Sequence, residues 1–142
     1  MRAHAARGLH WTGILIAGFL SEVSIFAIFL LLLAAATLAG VPELARPTST
    51  LDYIDAMVSS FVMVFLFTLW LGKRIESGFV LHGILVGAVG IVIFTTLILA
   101  LSGSLTQPPL YLVAHGLKIL GGVVGGLVAD KRSSTRRSLL QT

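Results

Sequence analysis

Residues 110–132 read LYLVAHGLKILGGVVGGLVADKR. The run is long and apolar enough to cross a bilayer, for which about 20 residues suffice. His115 and Lys118 nevertheless lie in its interior, and Asp130, Lys131 and Arg132 close it. A lysine deep in a span costs about 2.5–3.5 kcal/mol on insertion scales. Some other part of the chain is therefore expected to bring it an acidic partner. Gly121/Gly125 and Gly122/Gly126 form overlapping GxxxG patterns, a glycine zipper of the kind that lets membrane helices approach closely.

Outward from this stretch, the rest of the chain is similar in character. Of 142 residues, 56% are hydrophobic and only 11% charged, where soluble domains carry about 25% charged residues. The mean hydropathy is +1.00. A soluble core does not need so much apolar surface, whereas a bilayer does. The net charge of +4 lies in short flanks beside apolar runs. It is explained by the positive-inside rule, and no nucleic-acid partner is expected. There is no cysteine, which excludes disulfides and thiolate metal sites.

Three more spans are expected, giving four in all: about 11–39, 51–71, 78–101 and 109–129. The first follows a basic lead with Arg2, His4, Arg7 and His10, and contains one charge, Glu22. A cleaved signal peptide is the competing reading, with Ala34, Ala35 and Ala36 as small residues after the apolar run. Its hydrophobic region would ordinarily be about 7–15 residues, and this run is much longer. Pro42 and Pro47 break the chain after it, and Ser49 and Thr50 are candidate N-caps for the second span. Asp52 and Asp55 sit in that span's first turns, near the positive end of the helix dipole. Pro108 and Pro109 suit the start of the fourth span. The expected fold is all-α, an integral membrane four-helix bundle over residues 1–130. Residues 131–142 then form a basic, serine-rich cytoplasmic tail without fixed structure.

Counting basic flanks orients the bundle. Arg2, Arg7, Lys73, Arg74, Lys131, Arg132, Arg136 and Arg137 fall on one side and Arg46 on the other. Both termini are therefore expected in the cytoplasm, with the protein multi-pass in the cell (inner) membrane. Trp11 and Trp70 then mark the cytoplasmic interface, and Tyr53 and Tyr111 the outer one. A parallel two-helix repeat is also expected. Gly13-Ile14-Leu15 recurs as Gly83-Ile84-Leu85, and Tyr53, Ala56, Leu69, Lys73 and Arg74 recur as Tyr111, Ala114, Leu127, Lys131 and Arg132.

Glu22 lies 11 residues in from Trp11, and Lys118 lies 11 from Ala129. At about 1.5 Å per residue both are roughly 16 Å deep. Matched depth predicts an intramembrane charge pair, Glu22 with Lys118. It reads either as a lock between the first and fourth spans or as a proton or ion site. His115, Lys118, Gly122, Gly125 and Ala129 share one helix stripe, and Gly83, Gly87 and Gly90 share another. The third and fourth spans are expected to cross closely there, and Gly83, Gly87, Gly90, Gly121, Gly122, Gly125 and Gly126 are the expected helix-packing residues. Homodimerisation is the other use of such stripes. Ser21, Ser60, Thr95 and His115 form a candidate polar site at middle to outer depth, or else make local helix hydrogen bonds. His10 and His82 read as interfacial.

No HExxH, Walker loop or GxSxG is present, so no catalytic residue, metal or cofactor is expected. The layout of four spans, with Gly-Ile-Leu starts and Lys-Arg ends, looks like small bacterial membrane proteins of uncharacterised families. Ala17-Gly18-Phe19-Leu20-Ser21-Glu22-Val23 resembles the first-span acidic motif of the small multidrug resistance transporters. That resemblance implies a proton-coupled transporter with Glu22 as shared proton and substrate site. The residues themselves favour a non-catalytic accessory or assembly subunit of a membrane complex. Its expected contacts are membrane lipid and other membrane subunits or further copies of itself.

Overall fold

Inside a bilayer every backbone N–H and C=O must be paired within the protein, which leaves an apolar chain of this length the choice of helices. A computed structural model, in which residues 8–41, 43, 46 and 49–139 are described, has four: α1 (Trp11–Leu38), α2 (Thr50–Gly72), α3 (Phe79–Ser102) and α4 (Pro109–Leu139). All four are long and apolar enough to cross a membrane. The fold is an all-α bundle, and the protein is a multi-pass membrane protein. Arg2, His4, Arg7, Pro42 and Pro47 lie outside the described residues.

The helix ends follow local chemistry. Ser49 caps α2 by accepting from the Asp52 N–H at 3.2 Å. Gly103 ends α3 with φ 68°, its N–H donating to Leu99 O; a residue with a Cβ adopts that left-handed conformation only with strain. Pro109 opens α4, as its locked φ favours.

The helices alternate in direction. "Proximal" here denotes the end where α1 starts and α4 finishes, and "distal" the other. A Cβ built on Gly83 would meet Gly122, and one on Gly87 would meet Lys118 O, so α3 and α4 run antiparallel. Gly121 abuts Phe61 O and Gly125 abuts Phe65 O, so α2 and α4 run parallel. Gly18 abuts Val86 and Val89, and Gly90 abuts Glu22, so α1 and α3 are also parallel. α1 and α4 each pack on α2 and α3, and among the described residues their backbones do not meet.

Packing is uneven along the bundle axis. Ile14, Ala17, Val64, Leu71 and Val86 form a core in the proximal half. In α1 no residue between Glu22 and Ala36 is buried, and in α3 none beyond Gly90. α2 and α4 bury residues along most of the length they share.

The tail expectation is corrected: residues 131–139 continue α4 as helix. Extending an existing helix avoids the nucleation penalty that limits isolated short helices. Lys and Arg are good helix formers, and cations suit a helix C-terminus. Ser134 and Thr135 turn their hydroxyls back onto Lys131 O, at 2.8 and 3.1 Å.

Candidate functional site

Lys118 and Glu22 meet. Lys118 Nζ lies 2.7 Å from Glu22 Oε1, with side chains 3% and 8% exposed. These residues belong to helices whose backbones do not touch, so the pair spans the bundle's diagonal. Glycines on α3 make that span short enough. At Gly87 a Cβ would lie 2.8 Å from Lys118 O, so the missing side chain lets α4 settle onto α3. At Gly90 a Cβ would lie 2.6 Å from Glu22 Oε1, so the missing side chain leaves the space that the carboxylate occupies. The expectation that Gly90 packs against the fourth span is therefore corrected. Gly83 and Gly87 face α4, whereas Gly90 faces Glu22 of α1.

One turn further along this stripe, Phe94 covers the ammonium, whose Nζ is 4.9 Å from the ring centroid. A cation over an aromatic face gains a further attraction where water is excluded. The ion pair is close and enclosed. Its attraction is mainly charge to charge, which is strong where the surroundings polarise little.

Phe94 also gathers residues from the distal half of α4. Tyr111 stacks on it at 6.0 Å, and His115 meets it edge-on at 5.4 Å. Tyr111 Oη donates to Asp52 Oδ2 at 2.5 Å, and Ser59 Oγ donates to Asp55 Oδ1 at 2.5 Å. Both aspartates are 7% exposed. Reading them as dipole partners at a helix start missed their role as buried acceptors. The available signal was spacing, because Asp52, Asp55 and Ser59 recur on one face of α2. Tyr111, expected as an interfacial aromatic, ties α4 to α2. Tyr111→Phe is expected to lower stability by about 1.5 kcal/mol, the low end for a bond to a charged acceptor. The check is thermal melting in mild detergent beside Tyr53→Phe, for which no such loss is expected.

The candidate polar site does not assemble. Ser21 Oγ donates to Gly18 O of its own helix at 2.8 Å. His115 Nε2 pairs with Gln107 Oε1 at 3.1 Å, and its Nδ1 is buried without a partner. Ser60 is buried and Thr95 half-buried. Among the described residues no hydrogen bond joins any two of these four. Each falls on a different helix or depth, and only close crossing would have united them.

At the proximal end, His10 and His82 staple α1 to α3. The His10 N–H donates to His82 Nε2 at 3.1 Å, and His82 Nδ1 faces Gly78 O at 2.8 Å. His82 therefore carries its proton on Nδ1 and accepts at Nε2. His10 Nδ1 in turn accepts from the Gly13 N–H at 3.1 Å, capping α1. His82→Phe is expected to speed amide hydrogen exchange at His10 at least about tenfold, the loss of about 1.4 kcal/mol of protection. Unchanged exchange there would show the staple to be unimportant.

A 190 Å³ cavity lies beside this staple, lined in part by His10, Arg74, Glu76 and His82. A 260 Å³ apolar groove runs between α2 and α4, lined by Met57, Val58, Phe61, Val62 and Leu117. Neither touches Glu22 or Lys118. No family profile matches the chain, and no characterised protein or solved structure is detectably similar to it.

Proposed function

We propose that this is a non-catalytic integral membrane protein that serves as an accessory or assembly subunit of a larger membrane complex. It resides in the cell (inner) membrane with both termini cytoplasmic. One observation carries the reading: Glu22 and Lys118 neutralise each other across the bundle's diagonal, at a place neither cavity reaches. An enclosed pair of this kind sets helix register and partner choice more than it adds stability. Lys118 also has no counterpart in the small multidrug resistance transporters.

Two further features support it. α1 is 28 residues long, about 42 Å against a hydrocarbon layer of about 30 Å. Its distal half exposes Phe26, Leu30 and Leu31, an apolar face open to a neighbouring subunit, a second copy or lipid. The described basic flanks Lys73, Arg74, Lys131, Arg132, Arg136 and Arg137 all gather at the proximal end, with Arg46 at the other, which supports the orientation.

The test is extraction in a gentle detergent followed by mass spectrometry of what stays attached. A membrane protein recovered in fixed proportion is expected. A chain that purifies alone under every mild condition counts against the reading.

A small proton-coupled transporter or channel, with Glu22 titrating, is the second reading. The observation favouring it is the unpartnered His115 Nδ1 on the stretch of α4 between Tyr111 and Lys118. Polar groups thus lead from the distal end toward the pair. In liposomes that reading requires proton-dependent flux abolished by Glu22→Gln.

A further inference from the structure

Where α2 stops, α4 goes on. A Cβ on Gly72 would lie 2.5 Å from that of Ala129, so the two helices touch at the last residue of α2. On α4 the face turned to α2 carries Gly121, Gly125 and Ala129. Three and seven residues beyond Ala129, the same face continues as Arg132 and Arg136. They therefore project from the side of α4 toward which α2 ends, and Lys73 and Arg74 follow directly on Gly72. Two basic segments nearly sixty positions apart in the chain are thereby brought to one corner of the bundle.

The charge at this corner is concentrated. Among the described residues, no acidic group lies within 4.0 Å of Lys73, Lys131, Arg132 or Arg136. All four are exposed. Arg74 is held down at the corner, its guanidinium 4.2 Å over the Trp70 ring. Asp130 and Glu76 are the acids of this end, against Lys73, Arg74, Lys131, Arg132, Arg136 and Arg137.

Height identifies the occupant. The apolar part of α4 ends at Ala129. At about 1.5 Å per residue, Arg132 stands about 4.5 Å and Arg136 about 10 Å above it. The polar layer of one leaflet is about 5–8 Å thick, half the difference between total and hydrocarbon thickness. Lys73, Arg74, Lys131 and Arg132 therefore sit at phosphate level, and the backbone of Arg136 stands a few ångström above that layer, within reach of it for a side chain as long as arginine's. Orientation alone needs only charge near a span end, in any conformation. Here the charge on α4 is carried by continuous helix, and Arg74 is held over Trp70. Guanidinium groups gathered at that height are suited to take phosphate oxygens in pairs.

From this geometry we infer that the corner formed by Lys73, Arg74, Arg132 and Arg136 is a binding site for the headgroup phosphate of an anionic phospholipid. The site is independent of which membrane side the corner occupies. It does not rest on the subunit reading above.

The test places the purified chain in nanodiscs of phosphatidylcholine with and without phosphatidylglycerol. Retained lipid is then counted by native mass spectrometry. Wild type is expected to retain phosphatidylglycerol over phosphatidylcholine by about tenfold, as several juxtamembrane cations provide. Arg132→Gln with Arg136→Gln should bring the preference down several-fold. Adding Lys73→Gln and Arg74→Gln should bring it near parity. Arg46→Gln, at the opposite end, should leave it unchanged. The arginine pair stands beyond the bundle, so its double variant should melt like wild type in pure phosphatidylcholine; a folding failure of the quadruple variant leaves the double variant to decide. Equal retention of both lipids by wild type overturns the inference, as does an undiminished preference in the double variant. Displacement of the lipid by millimolar glycerol phosphate would assign the corner to soluble phosphate instead and overturn the lipid assignment.

Discussion

Lys118→Met is expected to destabilise the protein more than the double change Lys118→Met with Glu22→Gln. The single change leaves a carboxylate enclosed by α3, with the ammonium that sat 2.7 Å away removed. Breaking a buried pair in this way costs about 3–5 kcal/mol. Glu22→Gln alone leaves the ammonium enclosed, with Phe94 as its remaining partner, and should cost somewhat less. The double variant holds no charge at this crossing, and replacing a buried pair by neutral groups is often close to neutral. Unfolding in mixed detergent micelles would measure all four chains as a double-mutant cycle. A double variant as damaged as the sum of the singles would mean that the two charges do not depend on each other.

The second large effect is expected at Gly122. A Cβ there would run into Gly83 O, and one at Gly83 would run into Gly122 O. The obstacle on each side is backbone, which cannot rotate away as a side chain can. Gly122→Leu should therefore part α3 from α4, at about 3 kcal/mol or more, the upper end for overpacking. Parting them also removes the support beneath Lys118, since Gly87 abuts Lys118 O. Gly116 is the control on the same helix: a Cβ there has nothing within 4 Å, so Gly116→Leu should be tolerated. Yield and melting temperature in detergent distinguish the two. Equal behaviour of Gly122→Leu and wild type would remove the contact from consideration.

Much of this is legible in the sequence. Apolar run lengths set the helices, because a bilayer imposes its thickness on them. The starts at Trp11 and Pro109 and the cap at Ser49 followed from local chemistry. Glu22 and Lys118 could be paired by depth alone, since rise per residue converts sequence position into height. What spacing does not give is the partner of a face. Gly122, Gly125 and Ala129 read as one packing stripe toward the third span. In fact Gly121 and Gly125 face α2, while Gly122 and Gly126 face α3. A step of one residue turns a helix by about 100°, so adjacent glycines serve different neighbours, and only the crossing geometry says which. Gly90 was misassigned for the same reason. Asp52 and Tyr111 were each explained by their own helix end, which concealed the bond between them. In the tail, charge was read as loss of structure, although it reports only contact with water.

The uneven burial along α1 has a mechanical consequence. Held by Ile14, Ala17, Gly18, Ser21 and Glu22 and then by little until Ala36, this helix is clamped at one end and slack at the other. The leaflet around the clamped end meets helices packed on one another. The opposite leaflet meets the exposed side chains of Phe26, Leu30 and Leu31. Squeezing or stretching that leaflet would swing the helix about Glu22 as a lever about its pivot, while the glycine-lined half kept its shape.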